Sequence, residues 1–270
     1  MHAHQFDAVA FNAQFDLFVK IDMMTARSTA KRLLQQIGLF PVARAVFRRL
    51  SPAHRRDRQS NSRFYSAMLQ SGDLCFDIGA NVGQTVEALI EVRAKVVAVE
   101  PNTQCLPVLN YHFRDNPGVR IVAKAVGAVP GEAMLGFHGT DSTASLRADW
   151  PFENDQKMRV EVTTLDALIA EFGLPRFLKV DVEGFEVEVF KGLHHPVPLI
   201  YFEMHSNEMQ RAAEILQLLS KIGKIEGVNA VSGDNTRWLL SEWVKPDDFV
   251  VRLGDPLPHH ANVIVKMGVR

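Results

Sequence analysis

The stretch Leu74-Cys75-Phe76-Asp77-Ile78-Gly79-Ala80-Asn81-Val82-Gly83 decides how the rest of the chain is read. Its first five residues are apolar except for Asp77, the composition of a strand covered on both faces. Gly79 and Gly83 then permit a tight turn and a close approach of backbone to a ligand. Residues 82–92 carry a helical pattern, so the turn delivers the chain into a helix whose N-terminus offers free N–H donors. Strand, glycine turn and helix in immediate succession open a βαβ unit.

Outward from this unit, apolar runs recur at 96–99, 119–123, 177–182 and 199–204, each continuous enough to be a buried parallel strand. Helical segments fit between them. One spans 103–114 and stops before Asn116-Pro117-Gly118; another starts at the capping pattern Thr163-Thr164-Leu165-Asp166 and stops at Gly173 and Pro175. The class is therefore α/β with a parallel sheet. Residues 129–160 are rich in turn formers and read as an inserted hairpin or lid over a ligand. The tail holds two more strands, at 237–240 and 262–267. Residues 1–71 differ in character and read as a helical N-terminal extension to a domain of residues 72–270. The extension carries Arg44, Arg48, Arg49, Arg55, Arg56, Arg58 and Arg63, a charge run that fits a solvated helix face.

The glycine spacing is Gly-x-x-x-Gly, with Asn81 where a dinucleotide fingerprint has its middle glycine. That weakens the rival reading of a nicotinamide-dependent oxidoreductase and favours a cofactor without a pyrophosphate. Asp77 ends its strand, where a carboxylate can face the ammonium of an amino-acid moiety such as that of S-adenosylmethionine. Glu100, followed by Pro101 and Asn102, ends the second strand, where a carboxylate can accept hydrogen bonds from both hydroxyls of a ribose. Alone, Asp77 could be a turn residue and Glu100 a solvated strand end. In this order and context the pair reads as a ligand site.

A second constellation is Arg176-Phe177-Leu178-Lys179-Val180-Asp181-Val182-Glu183-Gly184. Strand alternation sets Lys179, Asp181 and Glu183 on one face, and Tyr201, Glu203 and His205 together on the next strand. A lysine in a buried strand requires a partner, which Asp181, Glu183 or a carboxylate such as Glu203 can supply. Ligands of open α/β sheets bind beyond the carboxyl ends of the strands, where these acids gather. Their mutual repulsion would raise a pKa and prepare a proton acceptor. The bland alternative is a register-fixing ion pair with His205 on the surface. Asp181, Glu183 and Glu203 could also hold a divalent metal, but nothing in the residues demands one and none is expected.

The bulk composition narrows the classes. Of 270 residues, 47% are hydrophobic and 23% charged, so most of the chain folds, and a net charge of -1 supplies no global field for nucleic acid or anionic membrane. The two cysteines, Cys75 and Cys105, build no disulfide framework, and no apolar run approaches the ~20 residues that span a bilayer. Residues 1–21 are broken by Asp7, Asn12, Asp16 and Lys20 and lack the order of a signal peptide, so a cytoplasmic location is expected.

Five blocks carry a family likeness: Phe76-Asp77-Ile78-Gly79-Ala80-Asn81-Val82-Gly83, Val97-Ala98-Val99-Glu100-Pro101-Asn102, Val162-Thr163-Thr164-Leu165-Asp166, Leu178-Lys179-Val180-Asp181-Val182-Glu183-Gly184 with Lys191-Gly192, and Tyr201-Phe202-Glu203. Over residues 74–205 the chain resembles the FkbM family of O-methyltransferases. The resemblance implies a Rossmann-like class I methyltransferase sheet of seven strands, mostly parallel with the last antiparallel. It implies S-adenosylmethionine as donor and a hydroxyl acceptor on a glycan, polyketide or other small metabolite. Asp77, Gly79, Asn81, Gly83, Glu100 and Asn102 become cofactor contacts. Lys179, Asp181, Glu183, Glu203 and His205 gather at the methyl-transfer edge, with His205, Glu183 and Asp181 open as candidates for the base. The extension has no counterpart in the likeness. Its arginines keep an RNA-binding methyltransferase as a rival, and a catalytically silent scaffold is a third reading; neither nucleic acid nor a membrane span is expected.

Overall fold

The computed structural model describes residues 52–137, 144–147, 156–205, 209–232, 236–253 and 260–268. Residues 1–51 of the expected extension, with Arg44, Arg48 and Arg49, lie outside the described residues, as do the side chains of Arg55, Arg56 and Arg58.

A seven-stranded sheet has the order β10-β11-β9-β8-β1-β2-β3. Its members are β1 (Leu74–Ile78), β2 (Lys95–Val99), β3 (Val119–Val122), β8 (Phe177–Val180), β9 (Leu199–His205), β10 (Ile225–Ser232) and β11 (His260–Met267). β1, β2, β3, β8 and β9 run parallel, while β11 lies antiparallel between β9 and β10. The mostly parallel class I methyltransferase sheet expected from the resemblance is the one observed.

Helices cover both faces, as parallel strands require. One face carries Cys75, Val96, Ala98 and Phe177 against α1 (Pro52–Ser66), α2 (Gln84–Glu91) and α3 (Leu106–Phe113). The other carries Phe76, Val97, Leu178 and Phe202 against α4 (Leu165–Phe172), α5 (Glu186–Lys191) and α6 (Met209–Ile222). α7 (Pro246–Leu253) buries Phe249 beside β10. α4 is bounded as its residues predict: the Thr164 side chain accepts the Ala167 N–H, and Gly173 follows the last turn.

The expected insertion is a second sheet, ordered β4-β7-β5-β6, of β4 (Ala125–Val126), β5 (Gly131–Phe137), β6 (Ala144–Ser145) and β7 (Gln156–Thr163). β5 and β7 form its antiparallel hairpin.

Two expectations need correction, and one strand went unplaced. The strand placed at 177–182 stops at Val180, because Asp181 begins a turn in which Glu183 adopts φ +55°. The strand placed at 237–240 is only an isolated bridge between Trp238 and Val231. The buried Asn229 side chain explains this, since its Nδ2 donates to the Leu240 and Glu242 carbonyls and holds that segment in a loop around it. The unplaced strand is β10, which pairs with β11 and whose Gly227 and Asn229 hide its period from the sequence.

Candidate functional site

The chain turns out of β1 at Ile78 and enters α2 through Gly79-Ala80-Asn81-Val82-Gly83. Gly79 has φ +82°, and a Cβ there would lie 1.8 Å from the Asp181 carbonyl oxygen. The loop thus packs directly on the backbone after β8, and Asp181 N–H donates to the Ile78 carbonyl at 3.0 Å to seal the junction. Gly83 has φ +88°, but a Cβ there would strike the Phe113 ring at 2.3 Å. Its role is close packing of α2 on α3, so the expected ligand approach at Gly83 is a helix–helix contact. Asn81 supplies the third left-handed residue, φ +51°, which asparagine tolerates better than most side chains.

Glu100 organises this half of the site. It is 6% exposed, accepts Asn81 N–H on Oε2 at 2.7 Å and accepts Asn102 N–H on Oε1 at 2.8 Å. Each oxygen keeps a further lone pair for a ligand donor. Burial pushes the Glu100 carboxyl up to about 7 despite those two bonds. Asn102 is fully buried, and its Oδ1 accepts Gln104 N–H to shape the turn before α3. Asn102 therefore does not line the cavity described below; it holds the turn that Glu100 grips.

Asp77 is fully buried. Its register partner on β8 is Lys179, whose Nζ stands 3.7 Å from Asp77 Oδ1 and 2.8 Å from Asp181 Oδ2. The partner of Lys179 on the neighbouring strand is thus Asp77 on β1, and Glu203 makes no ion pair with it among the described residues. Burial works against the Lys179 charge, but Asp181 and Asp77 outweigh it and hold the ammonium well above its usual range. Burial likewise pushes Asp77 up to about 6, with Lys179 pulling the other way. Neither Asp77 carboxylate oxygen accepts a hydrogen bond.

The turn after β8 is tied by a residue that sequence reasoning missed. Glu186 opens α5, is 5% exposed, and its Oε1 accepts N–H from Val182 at 3.0 Å and from Gly184 at 3.1 Å. A carboxylate two residues after a Glu-Gly turn, at a helix start, is the signal that could have found it. Ser145 was missed too: its hydroxyl donates to the Glu183 carbonyl at 2.8 Å, and Arg211 of α6 donates to the Gly184 carbonyl.

These elements enclose a cavity of about 280 Å³ at the carboxyl edge of the sheet. Gly79, Asn81 and Glu100 line one end; Lys179, Asp181, Glu183 and Glu203 line the other. Leu135 and Ala144 of the inserted sheet and Leu146 just after it contribute to its wall, together with Lys124. Burial pushes Glu183 up to about 7, and the nearby Asp181 and Glu186 charges add to it. Burial and the Asp181, Glu183 and Glu186 charges raise Glu203 well above the usual carboxylate range. The structure thus brings together all the expected acids of the cavity edge. His205 ends β9, and its side chain lies outside the described residues. Among the described residues no group of three or more His, Cys, Asp or Glu is arranged to hold a metal, and no helix is long and apolar enough to cross a membrane.

Comparison with known proteins gives a match to the methyltransferase FkbM domain over residues 77–225. The chain is 25% identical over 171 residues to the hexuronic acid methyltransferase AglP of Haloferax volcanii, covering 62% of this chain and 69% of that protein. Among solved structures, a precorrin-6y C5,15-methyltransferase of Geobacter metallireducens is 12% identical at a TM-score of 0.39, covering 78% of this chain and 87% of that one. Aeropyrum pernix fibrillarin with natively bound S-adenosyl-L-methionine is 13% identical at a TM-score of 0.41, covering 73% of this chain and 67% of that one. Superpositions this loose carry no weight beside the domain match.

Proposed function

The chain belongs to the methyltransferase FkbM domain family, and on that premise we propose that it moves the methyl group of S-adenosylmethionine to a hydroxyl of a sugar or other small polar acceptor. The observation that carries the reading is one cavity running from Glu100 and the glycine turn to the acids after β8 and on β9. The residues present suit the donor. Asp77 leaves two buried oxygens without a hydrogen-bond donor, a demand an ammonium group meets, but it stands behind the lining formed by Ile78 and Lys179 and not on it. Glu100 has lone pairs to spare for ribose hydroxyls, and the first turn of α2 opens on the cavity through Gln84 and Thr85.

When bound, the sulfonium supplies an electrophilic methyl carbon with a neutral thioether as leaving group. The chain's own residues then have three tasks. Gly79, Asn81 and Glu100 fix the donor end, Leu135 and Ala144 of the inserted sheet and Leu146 just after it wall off water, and a carboxylate of the acidic edge takes the acceptor's proton. The relative named for hexuronic acid supports a sugar as acceptor. Family membership sets aside the nicotinamide oxidoreductase.

Calorimetry with S-adenosylhomocysteine and with NAD tests the donor assignment. Micromolar binding of the first and none of the second is expected, with at least a tenfold loss in Glu100→Ala that circular dichroism finds folded. Indifference to both S-adenosyl compounds at millimolar concentration would sink the reading.

A further inference from the structure

We infer that Glu183 is the proton acceptor of the methyl transfer, held in place by the inserted sheet through Ser145. The inference rests on the methyl-transfer reading above and chooses among the acids that reading leaves equal.

Geometry removes three of the other carboxylates, and burial among like charges removes the fourth. Asp181 is bound to the Lys179 ammonium at 2.8 Å, so protonating it would break a buried ion pair. Glu186 spends Oε1 on two backbone N–H groups and lies outside the cavity lining. Glu100 belongs to the other end, gripping Asn81 and Asn102. Burial first, and then the like charges around it, raise Glu203 well above the usual carboxylate range, which suits a donor of a hydrogen bond better than a proton acceptor. Glu183 alone among these lines the cavity while its carboxylate accepts no hydrogen bond and joins no ion pair among the described residues.

Its backbone is fixed to an unusual degree for a residue whose side chain is left unpaired. Glu183 holds φ +55°, a conformation costly for a glutamate unless its surroundings impose it. They do: Val182 and Gly184 N–H are clasped by Glu186, Ser145 Oγ–H donates to the Glu183 carbonyl, and Arg211 donates to the carbonyl of Gly184. In the step, the acceptor oxygen forms its bond to the methyl carbon, the C–S pair stays on sulfur, and the hydroxyl proton passes to a Glu183 oxygen. A carboxyl near 7 is half ionised at neutral pH, close to the optimum for this task.

The test uses the full chain labelled with ¹³C at glutamate side-chain carboxyls, saturated with S-adenosylhomocysteine, beside Glu183→Gln. The resonance missing from the variant should titrate within about one unit of 7, and the variant should bind S-adenosylhomocysteine within about twofold of the parent. Titration in the ordinary glutamate range of about 4.3, or a tenfold loss of S-adenosylhomocysteine affinity, overturns the assignment. Failure of the parent chain to bind S-adenosylhomocysteine instead breaks the underlying reading. With glucuronic acid as trial acceptor, kcat/KM should rise through pH of about 7, and Glu183→Gln should lower kcat by roughly 10²- to 10⁴-fold; unchanged turnover in the variant also overturns it. The titration decides even where that sugar is not turned over.

Discussion

The two ends of the cavity are built on opposite principles. At the Glu100 end the polar groups are matched: a buried carboxylate meets two backbone N–H donors, and the glycine turn fits against the next strand with no space for a Cβ. At the Glu183 end the charges of Asp181, Glu183 and Glu186 all act against that of Glu203, and Asp181 is bound to Lys179 at 2.8 Å. A matched site gains rigidity, which suits holding a donor molecule. A frustrated one stores proton affinity, which suits chemistry. Substitutions at the first end should therefore weaken folding and binding together, whereas some at the second should strengthen folding.

The largest effect is expected from Gly79→Ala, where a methyl group would have to share space with the Asp181 carbonyl oxygen at a φ that alanine avoids. A loss of about 4 kcal/mol or more, read as a collapse of the thermal transition, is expected; a variant melting within a few degrees of the parent would show that the two ends are not locked. Lys179→Met comes next. It leaves Asp77 and Asp181 without their shared cation and should cost about 3 kcal/mol by urea denaturation at neutral pH.

Glu203→Gln should act in the opposite direction. The folded chain holds the Glu203 proton to a higher pH than the unfolded chain, whose value is 4.5. The native acid therefore favours folding fully below about that pH, and the advantage drains away as pH climbs towards its folded value. The amide carries no such penalty, so the variant should be more stable by about 1 kcal/mol at pH 8 and level with the parent near pH 4. A variant less stable at both pH values would mean that the edge is not frustrated. Smallest is Ser145→Ala, which removes the hydrogen bond to the Glu183 carbonyl and the acceptor of the Arg147 N–H and should cost about 1 kcal/mol.

The same contrast explains what the sequence disclosed. The matched end is local: strand, glycine turn and the acid ending the second strand follow one another in order, so Gly79 and Glu100 were legible. The Lys179 problem was legible as well, since a lysine among Leu178 and Val180 must have a partner, but its main cross-strand neighbour, Asp77, depends on which strands sit side by side. Sequence order separates them by 102 positions. The Glu183 conformation was hidden because the alternation of the strand looked as though it continued past Val180. Ser145 reaches the turn from the inserted sheet, a contact only tertiary structure creates, and Asn229 broke the period that would have revealed β10.

The order of the main sheet bears on how this protein can be handled. The matched domain spans residues 77–225, beginning inside β1 and ending at the first residue of β10. Trimming to those limits would strip β11 from beside β9 and leave Ile200, Phe202 and Met204 on a bare strand edge, an invitation to self-association. The same cut would discard Phe64 and Tyr65, whose rings pack beneath the sheet, Tyr65 edge-on to Phe177 at 5.5 Å. The smallest piece worth expressing is therefore set by the neighbours of β9 and by the helix that shelters Phe177, and it reaches well beyond the stretch that identifies the family.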